Sequence, residues 1–544
     1  MFKRSLTSIA LISFVFVLRS AAQDEKIDLG MISRIRYEGF HNSQVMEIAS
    51  GLVDEIGERL TGSPNVKRAN EWTRAKLADF GLANAHLEPW GPFGRGWSNE
   101  FINVRMVAPD IATLIAYPRA WTPGTNGALQ GPVVPVEIRL TSPEMEADMA
   151  KYKGKLAGKF VLIGDDPEIK TPVDPLAERY DEKALEQLSQ YAVSRERSSQ
   201  RIREFQRRAR IIRQIGKFFA DEQVIAVIEH SRGDIGGGTV FVDGGSYKAD
   251  QTFAVPQLLL AAEHWTRIAR LLKQKKDVQL EVNVKNTFYD NTTTQYNTIA
   301  EIPGSDKKDE LVMLGAHLDS WYTGTGATDN GAGTAVMMEA VRILKAAGVK
   351  PRRTIRICLW TGEEQGLLGS QWYVAQHFGS RPPSTDPDSK GDPSVIRREN
   401  GPLTIEPEQA KVSVYFNLDN GSGKIRGIYL QENAAVEPIF RAWMRPFRDL
   451  GMDTLTMRNT GDTDHESFNA VGIPGFQFIQ DPLDYDTRSH HSNMDVYDRL
   501  QPDDLKQMAV IVASFVYEAA MRDQMLPRKP LEKELLASPS TGHK

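Results

Sequence analysis

Six short stretches hold residues whose types and spacing can do chemistry: His317-Leu318-Asp319, Asp329, Glu363-Glu364, Asp419, His465 and His490-His491. The strand-like run 310 to 316 ends at His317, and the carboxyl ends of parallel strands are where open α/β sheets place their ligands. Singly, His317 reads as a hydrogen-bonded histidine, and Asp319 as a helix cap. Asp329 or Asn330 stands at the head of a helix of small and apolar residues, where either side chain can cap free backbone N–H groups. Glu363 and Glu364 resist so plain a reading. Two adjacent carboxylates just past a strand repel each other unless a cation compensates or one takes a proton. A paired metal site supplies both, with one glutamate ligating the metal and its neighbour acting as general base on water. Asp419 follows the next strand, 412 to 418, and His490-His491 precede Ser492-Asn493-Met494-Asp495 after the strand 475 to 479. The conjunction at successive strand ends is specific where its members are not. Nitrogen and carboxylate donors without thiolate suit zinc, with manganese or cobalt as chemical alternatives.

These motifs resemble the co-catalytic di-zinc exopeptidases, the family that includes bacterial leucyl aminopeptidase, glutamate carboxypeptidase and carboxypeptidase Q. The resemblance implies two Zn2+ per chain, with Asp329 bridging them. Glu364 and His491 would complete one site, and His317 and Asp419 the other. It further implies Glu363 as the base, Asp319 orienting the His317 imidazole, and a cis peptide bond between Asp329 and Asn330. His491 is chosen over His490 by its spacing to Ser492 and Asp495, which leaves His490 to polarise the substrate carbonyl. His465 falls in an element that lines the substrate pocket in relatives; the competing reading is that Asp464 caps the helix that follows. The expected substrate is a short peptide anchored by a free terminal amine or carboxylate, with aminopeptidase, dipeptidase and carboxypeptidase action all open. Two rivals share the fold: a one-zinc aminoacyl transferase of the glutaminyl cyclase kind, and a non-catalytic receptor-like relative. The complete ligand set disfavours both.

Positioning these residues requires alternating strands and helices. Apolar runs at 310–316, 354–360, 412–418 and 475–479 alternate with helical patterns at 332–347, 366–378, 434–450 and 503–522. That order predicts an α/β fold with a mostly parallel mixed sheet flanked by helices, the zinc exopeptidase fold that the resemblance implies. Residues 23–112, with amphipathic helical stretches at 44–60 and 66–82, open this peptidase domain, and 284–527 complete it. Between them, 113–283 read as an inserted, sheet-rich domain with short strands at 131–138, 159–164, 223–228 and 238–242. It resembles the protease-associated domain, with Gly158-Lys159-Phe160-Val161-Leu162-Ile163 as the recognisable strand. A dense charged run at 178–217 reads as one solvated surface helix, 379–409 as a long loop, and 528–544 as a tail.

Bulk properties narrow the class. At 544 residues the chain can hold two or three domains. A net charge of −5 with mixed signs argues against a nucleic-acid partner. Residues 1–22 carry Lys3 and Arg4, an apolar core and small residues at Ser20 and Ala22, which predicts a cleaved export signal and a secreted or periplasmic enzyme. No later apolar run reaches membrane-spanning length, so no stable membrane insertion is expected after cleavage, while homodimer formation stays open. The single cysteine, Cys358, reads as a packed core residue.

Overall fold

A computed structural model describes residues 25–531, except 140–142, 193–198, 234–235, 292, 384 and 386–394. The expected export signal, 1–22, and most of the expected tail, 528–544, lie outside the described residues. Two eight-stranded sheets dominate the chain. In the first, Arg353–Trp360, Lys307–His317, Val412–Asn417 and Gly475–Gln480 lie side by side and run parallel. Outside that block, Gln295–Ile302 and Ala83–Trp90 add antiparallel on one side and Ile425–Tyr429 adds antiparallel on the other, so the sheet is mixed.

Alternation along the central strands sends side chains to two layers. Val312, Leu314, Ala316, Ile355, Ile357 and Leu359 enter one core with the helices Val45–Ser50, Ala332–Ala346 and Pro502–Met521. Met313, Cys358, Trp360 and Tyr415 face the other layer with the helices Leu368–His377 and His465–Ala470. With both faces covered, the strands are apolar on both sides, as a buried parallel block requires. Cys358 is fully buried and unbridged, as a core residue. Burial of these strands leaves their carboxyl ends as the place where polar side chains can emerge.

The second sheet starts earlier and ends later than the span 113–283. Its long antiparallel pair is Gly96–Ala108 with Gln279–Tyr289, and Leu129–Pro135, Phe160–Leu162, Ala226–His230 and Gln257–Leu260 continue it. Residues 238–242 form no strand of this sheet. Their backbone instead turns to the peptidase side: Val242 N–H donates to His491 O at 2.8 Å, and Phe241 bridges to Ser492. The charged run 178–217 is two helices, Glu182–Ser189 and Ser199–Asp221, because Gln190 takes an extended conformation that ends the first. Nor is this region simply solvated. Arg179 pairs with Asp481 at 2.9 Å and Asp504 at 2.7 Å, and Glu178 bridges to Leu483, so the segment straps the start of the loop that leads to His491. The expected helix 434–450 is interrupted: only Glu437–Met444 is α-helical, and Pro446 removes an amide donor where a tighter turn follows. Among the described residues no helix is long and apolar enough to cross a membrane.

Candidate metal centre

His317 ends its strand fully buried, and its two nitrogens have different tasks. Nδ1 lies 2.9 Å from the backbone carbonyl of Asp319, which can only accept, so Nδ1 carries the proton. Nε2 is left with a lone pair facing Asp419 Oδ1 at 3.2 Å, Asp329 Oδ1 at 3.3 Å and Glu363 Oε2 at 4.0 Å. The orienting group is therefore the Asp319 carbonyl, not its carboxylate, which stands 3.6 Å away. That carboxylate accepts the Thr61 hydroxyl at 2.9 Å and the backbone N–H groups of Glu363 and Glu364 at 3.3 and 3.4 Å. It fixes the turn that presents the glutamate pair.

Asp329 does not cap the helix after it. Asn330 does, its Oδ1 accepting Gly333 N–H at 2.9 Å while its Nδ2 donates to Leu418 O. The peptide bond between Asp329 and Asn330 is cis. Asp495 pins the Asp329 segment from behind, taking Thr328 N–H at 2.6 Å, the Thr328 hydroxyl at 2.8 Å and Asp329 N–H at 3.1 Å. Thus held, Asp329 turns one oxygen to each histidine: Oδ1 to His317 Nε2, and Oδ2 to His491 Nε2 at 3.2 Å. Glu364 Oε2 meets the same His491 nitrogen at 2.9 Å. His490 Nε2 is farther from Asp329, at 3.7 Å, and its ring stacks on Tyr485.

Burial sets the electrostatics. Glu364 is pushed up to about 7 by burial and by the charge of Asp329. Burial raises Glu363 well above the carboxylate range, against the pull of His317 and with Asp419 and Asp464 adding repulsion. For His491 burial works downward, but Glu364 and Asp329 prevail and carry it to about 10. Asp329 Oδ2 and Glu364 Oε1 are buried without a well-formed hydrogen bond. Buried carboxylates short of partners and gathered around two imidazole rings suit a divalent cation, and the donor set is of zinc type. Donor atoms of His317, Asp329 and Asp419 lie within 4.8 Å of one another, as do those of Asp329, His490 and His491.

His465 stands apart from these donors. It is fully buried, with Nε2 3.0 Å from both Gln431 and the Thr460 carbonyl, and burial lowers it to about 4. The Asp464 side chain makes no capping bond; both its oxygens are buried without a well-formed partner, and burial raises it to about 8. Asp495 enters the sequence reading only through its spacing to His491, which does not disclose that it holds Thr328 and Asp329. Arg59 carries no local signal: it is fully buried, and its guanidinium donates to the carbonyls of Leu318, Gly57, Thr325 and Gly326 at 2.7 to 2.9 Å. Gly326 needs its freedom here, because at φ +61° an added Cβ would meet Ser320 Cβ at 2.3 Å.

The α/β sheet thus brings histidine and carboxylate donors together beyond the ends of its parallel strands, and the comparisons make the chain a metallopeptidase. Residues 297–516 match the model of peptidase family M28, and the chain is similar to zinc exopeptidases of that kind, carboxypeptidase Q among them. Bovine carboxypeptidase Q is 25% identical over 479 residues, covering 88% of this chain and 85% of that protein. The crystal structure of a peptidase M28 precursor from Shewanella amazonensis superposes with a TM-score of 0.64 at 26% identity, covering 92% of this chain and 99% of that one. A zinc aminopeptidase from Bacillus subtilis shares the fold, with a TM-score of 0.54 at 19% identity over 89% of this chain and 97% of its own.

Proposed function

We propose that this chain is an exported exopeptidase that hydrolyses short peptides with two zinc ions. His317, Asp419 and Asp329 would hold one ion, and His491, Glu364 and Asp329 the other. The observation that carries this reading is the division of Asp329, whose two oxygens face two different imidazole nitrogens. Zinc bound there supplies Lewis acidity, polarising a carbonyl oxygen and lowering the pKa of water. Glu363 Oε2 lies 4.0 Å from His317 Nε2 and is not needed as a ligand by either group, so it would take a proton from the attacking water and return it to the leaving amine. Asp319 and Asp495 hold the Glu363-Glu364 turn and the Asp329 segment in place, and His490 stands near enough to meet the substrate carbonyl. The second sheet is read as the inserted domain, extended to residues 96–289.

Replacing Glu363 tests the assignment. Glu363→Ala should keep its zinc and lose turnover by about 100-fold or more, as expected for removal of a general base. Retained hydrolysis of unblocked dipeptides would overturn it. The aminoacyl transferase reading needs one metal and is disfavoured by the close His317 and Asp419 pair, 3.2 Å apart.

A further inference from the structure

The loop that carries His490 and His491 leaves the peptidase sheet at Gln480, and chain from the region of the second sheet holds it at both ends. At its start Asp481 is fully buried, and its carboxylate accepts Arg179 at 2.9 Å, Arg426 at 2.9 Å and the Tyr180 N–H at 3.1 Å. Two residues on, Leu483 and Glu178 exchange backbone hydrogen bonds of 2.8 and 3.0 Å, and the Thr487 hydroxyl donates to Leu176 O at 2.7 Å. At its end Val242 N–H donates to His491 O, and Val240 N–H to Asn493 Oδ1 at 2.7 Å.

Backbone conformation ties these contacts to the metal centre. Leu483 and His491 both sit in the left-handed region, at φ +48° and +60°, which any residue with a Cβ disfavours. Such a conformation persists only where the surroundings fix it. Each of the two has its backbone bonded to the second-sheet region, Leu483 to Glu178 and His491 to Val242. Between them Arg488 and Ser489 donate to Asp484 O and His490 to Tyr485 O in one tight turn, which passes a displacement at Leu483 on to His491.

Arg179 closes the first clamp. Its Nη1 reaches Asp481 and, at 2.7 Å, Asp504 in the first turn of the helix Pro502–Met521, so one nitrogen joins strap, loop and helix. Both carboxylates are buried, and without the guanidinium they repel each other across the base of the loop.

We propose that Arg179 is a positioning residue for His491: through Asp481 and the Glu178–Leu483 pair it fixes the loop, and so sets zinc affinity at the His491, Glu364 and Asp329 position while leaving the His317 and Asp419 position alone. This rests on the two-zinc reading above and deepens it, placing control of one metal outside the peptidase sheet.

The test is a calorimetric zinc titration of metal-free protein in two backgrounds, each keeping one site. In His317→Ala, where the His491 site remains, adding Arg179→Glu should weaken zinc about 10- to 100-fold, the range for losing a residue that orients a ligand. Arg179→Lys should recover most of that, because a single nitrogen serves both carboxylates. In His491→Ala, where the His317 site remains, Arg179→Glu should change nothing. Arg105→Met, which breaks a pair with Glu281 inside the second sheet, should leave both sites as they are. Arg179→Met removes the charge without adding repulsion and gives the same comparison if Arg179→Glu does not fold. Unchanged affinity in the His317→Ala background, an equal loss in both backgrounds, or no recovery in Arg179→Lys overturns the proposal. If wild type takes up a single zinc, the two-zinc reading fails by itself. Amide hydrogen exchange of the metal-free proteins then decides the role of Arg179: faster exchange at Arg488, Ser489 and His490 in Arg179→Met supports it, and equal exchange refutes it.

Discussion

Arg59→Met should cost the protein about 4 kcal/mol of stability. The side chain donates to four backbone carbonyls that belong to three separate turns, before Arg59, after His317 and ahead of Asp329. Removing it takes one hydrogen bond from each of four carbonyls, of which Gly326 keeps the Gly331 N–H, at about 1 kcal/mol per bond lost. Burial lowers the guanidinium to about 10, with Asp495, Asp319, Glu58 and Asp329 opposing that fall, so it is still charged at neutral pH. Methionine keeps the bulk and removes both bonds and charge; Arg59→Lys keeps the charge but cannot span four carbonyls. Urea unfolding of the three proteins at pH 7, with metal removed, separates the two contributions. The bonding argument expects lysine to recover less than half of the loss. A loss below about 1 kcal/mol in Arg59→Met, or full recovery in Arg59→Lys, would refute it.

Other consequences follow from single groups. Asp495→Asn should weaken zinc binding by about 10- to 100-fold in a chelator competition, because the carboxylate that holds Thr328 and Asp329 acts on the metal through Asp329; unchanged affinity would show that the segment holds its own shape. Glu518, buried in the helix Pro502–Met521, is raised from 4.5 to about 7 mainly by burial. The folded protein therefore binds the extra proton between those values, so stability should fall by up to about 3 kcal/mol as pH rises through that window. Glu518→Gln should flatten this part of the profile, and an unaltered slope would move the effect to another group.

The parallel block was legible because its strands are short, apolar and closed by polar residues. Expected strands at 310–316, 354–360, 412–418 and 475–479 appear at Lys307–His317, Arg353–Trp360, Val412–Asn417 and Gly475–Gln480. Ligand candidates were legible for the same reason: each follows such a strand. The antiparallel strands Ala83–Trp90 and Gly96–Ala108 were hidden by mixed burial, since their exposed positions break the apolar run that marks a central strand. Contacts between distant segments left no local trace. Arg59 reaches carbonyls more than 250 residues away, and Arg232 meets His491 across 259 positions. Asp319 shows the finer limit: sequence put it beside His317, but only geometry distinguishes its carbonyl, at 2.9 Å, from its carboxylate, at 3.6 Å.

The most direct test of the metal centre is a calorimetric zinc titration of the metal-free protein beside its His317→Ala variant. Two ions held by separate histidines and shared by Asp329 predict two zincs per chain in the wild type and one strongly bound in the variant. A single zinc in the wild type, or an undiminished count in His317→Ala, would contradict the proposed division of Asp329 between two metals.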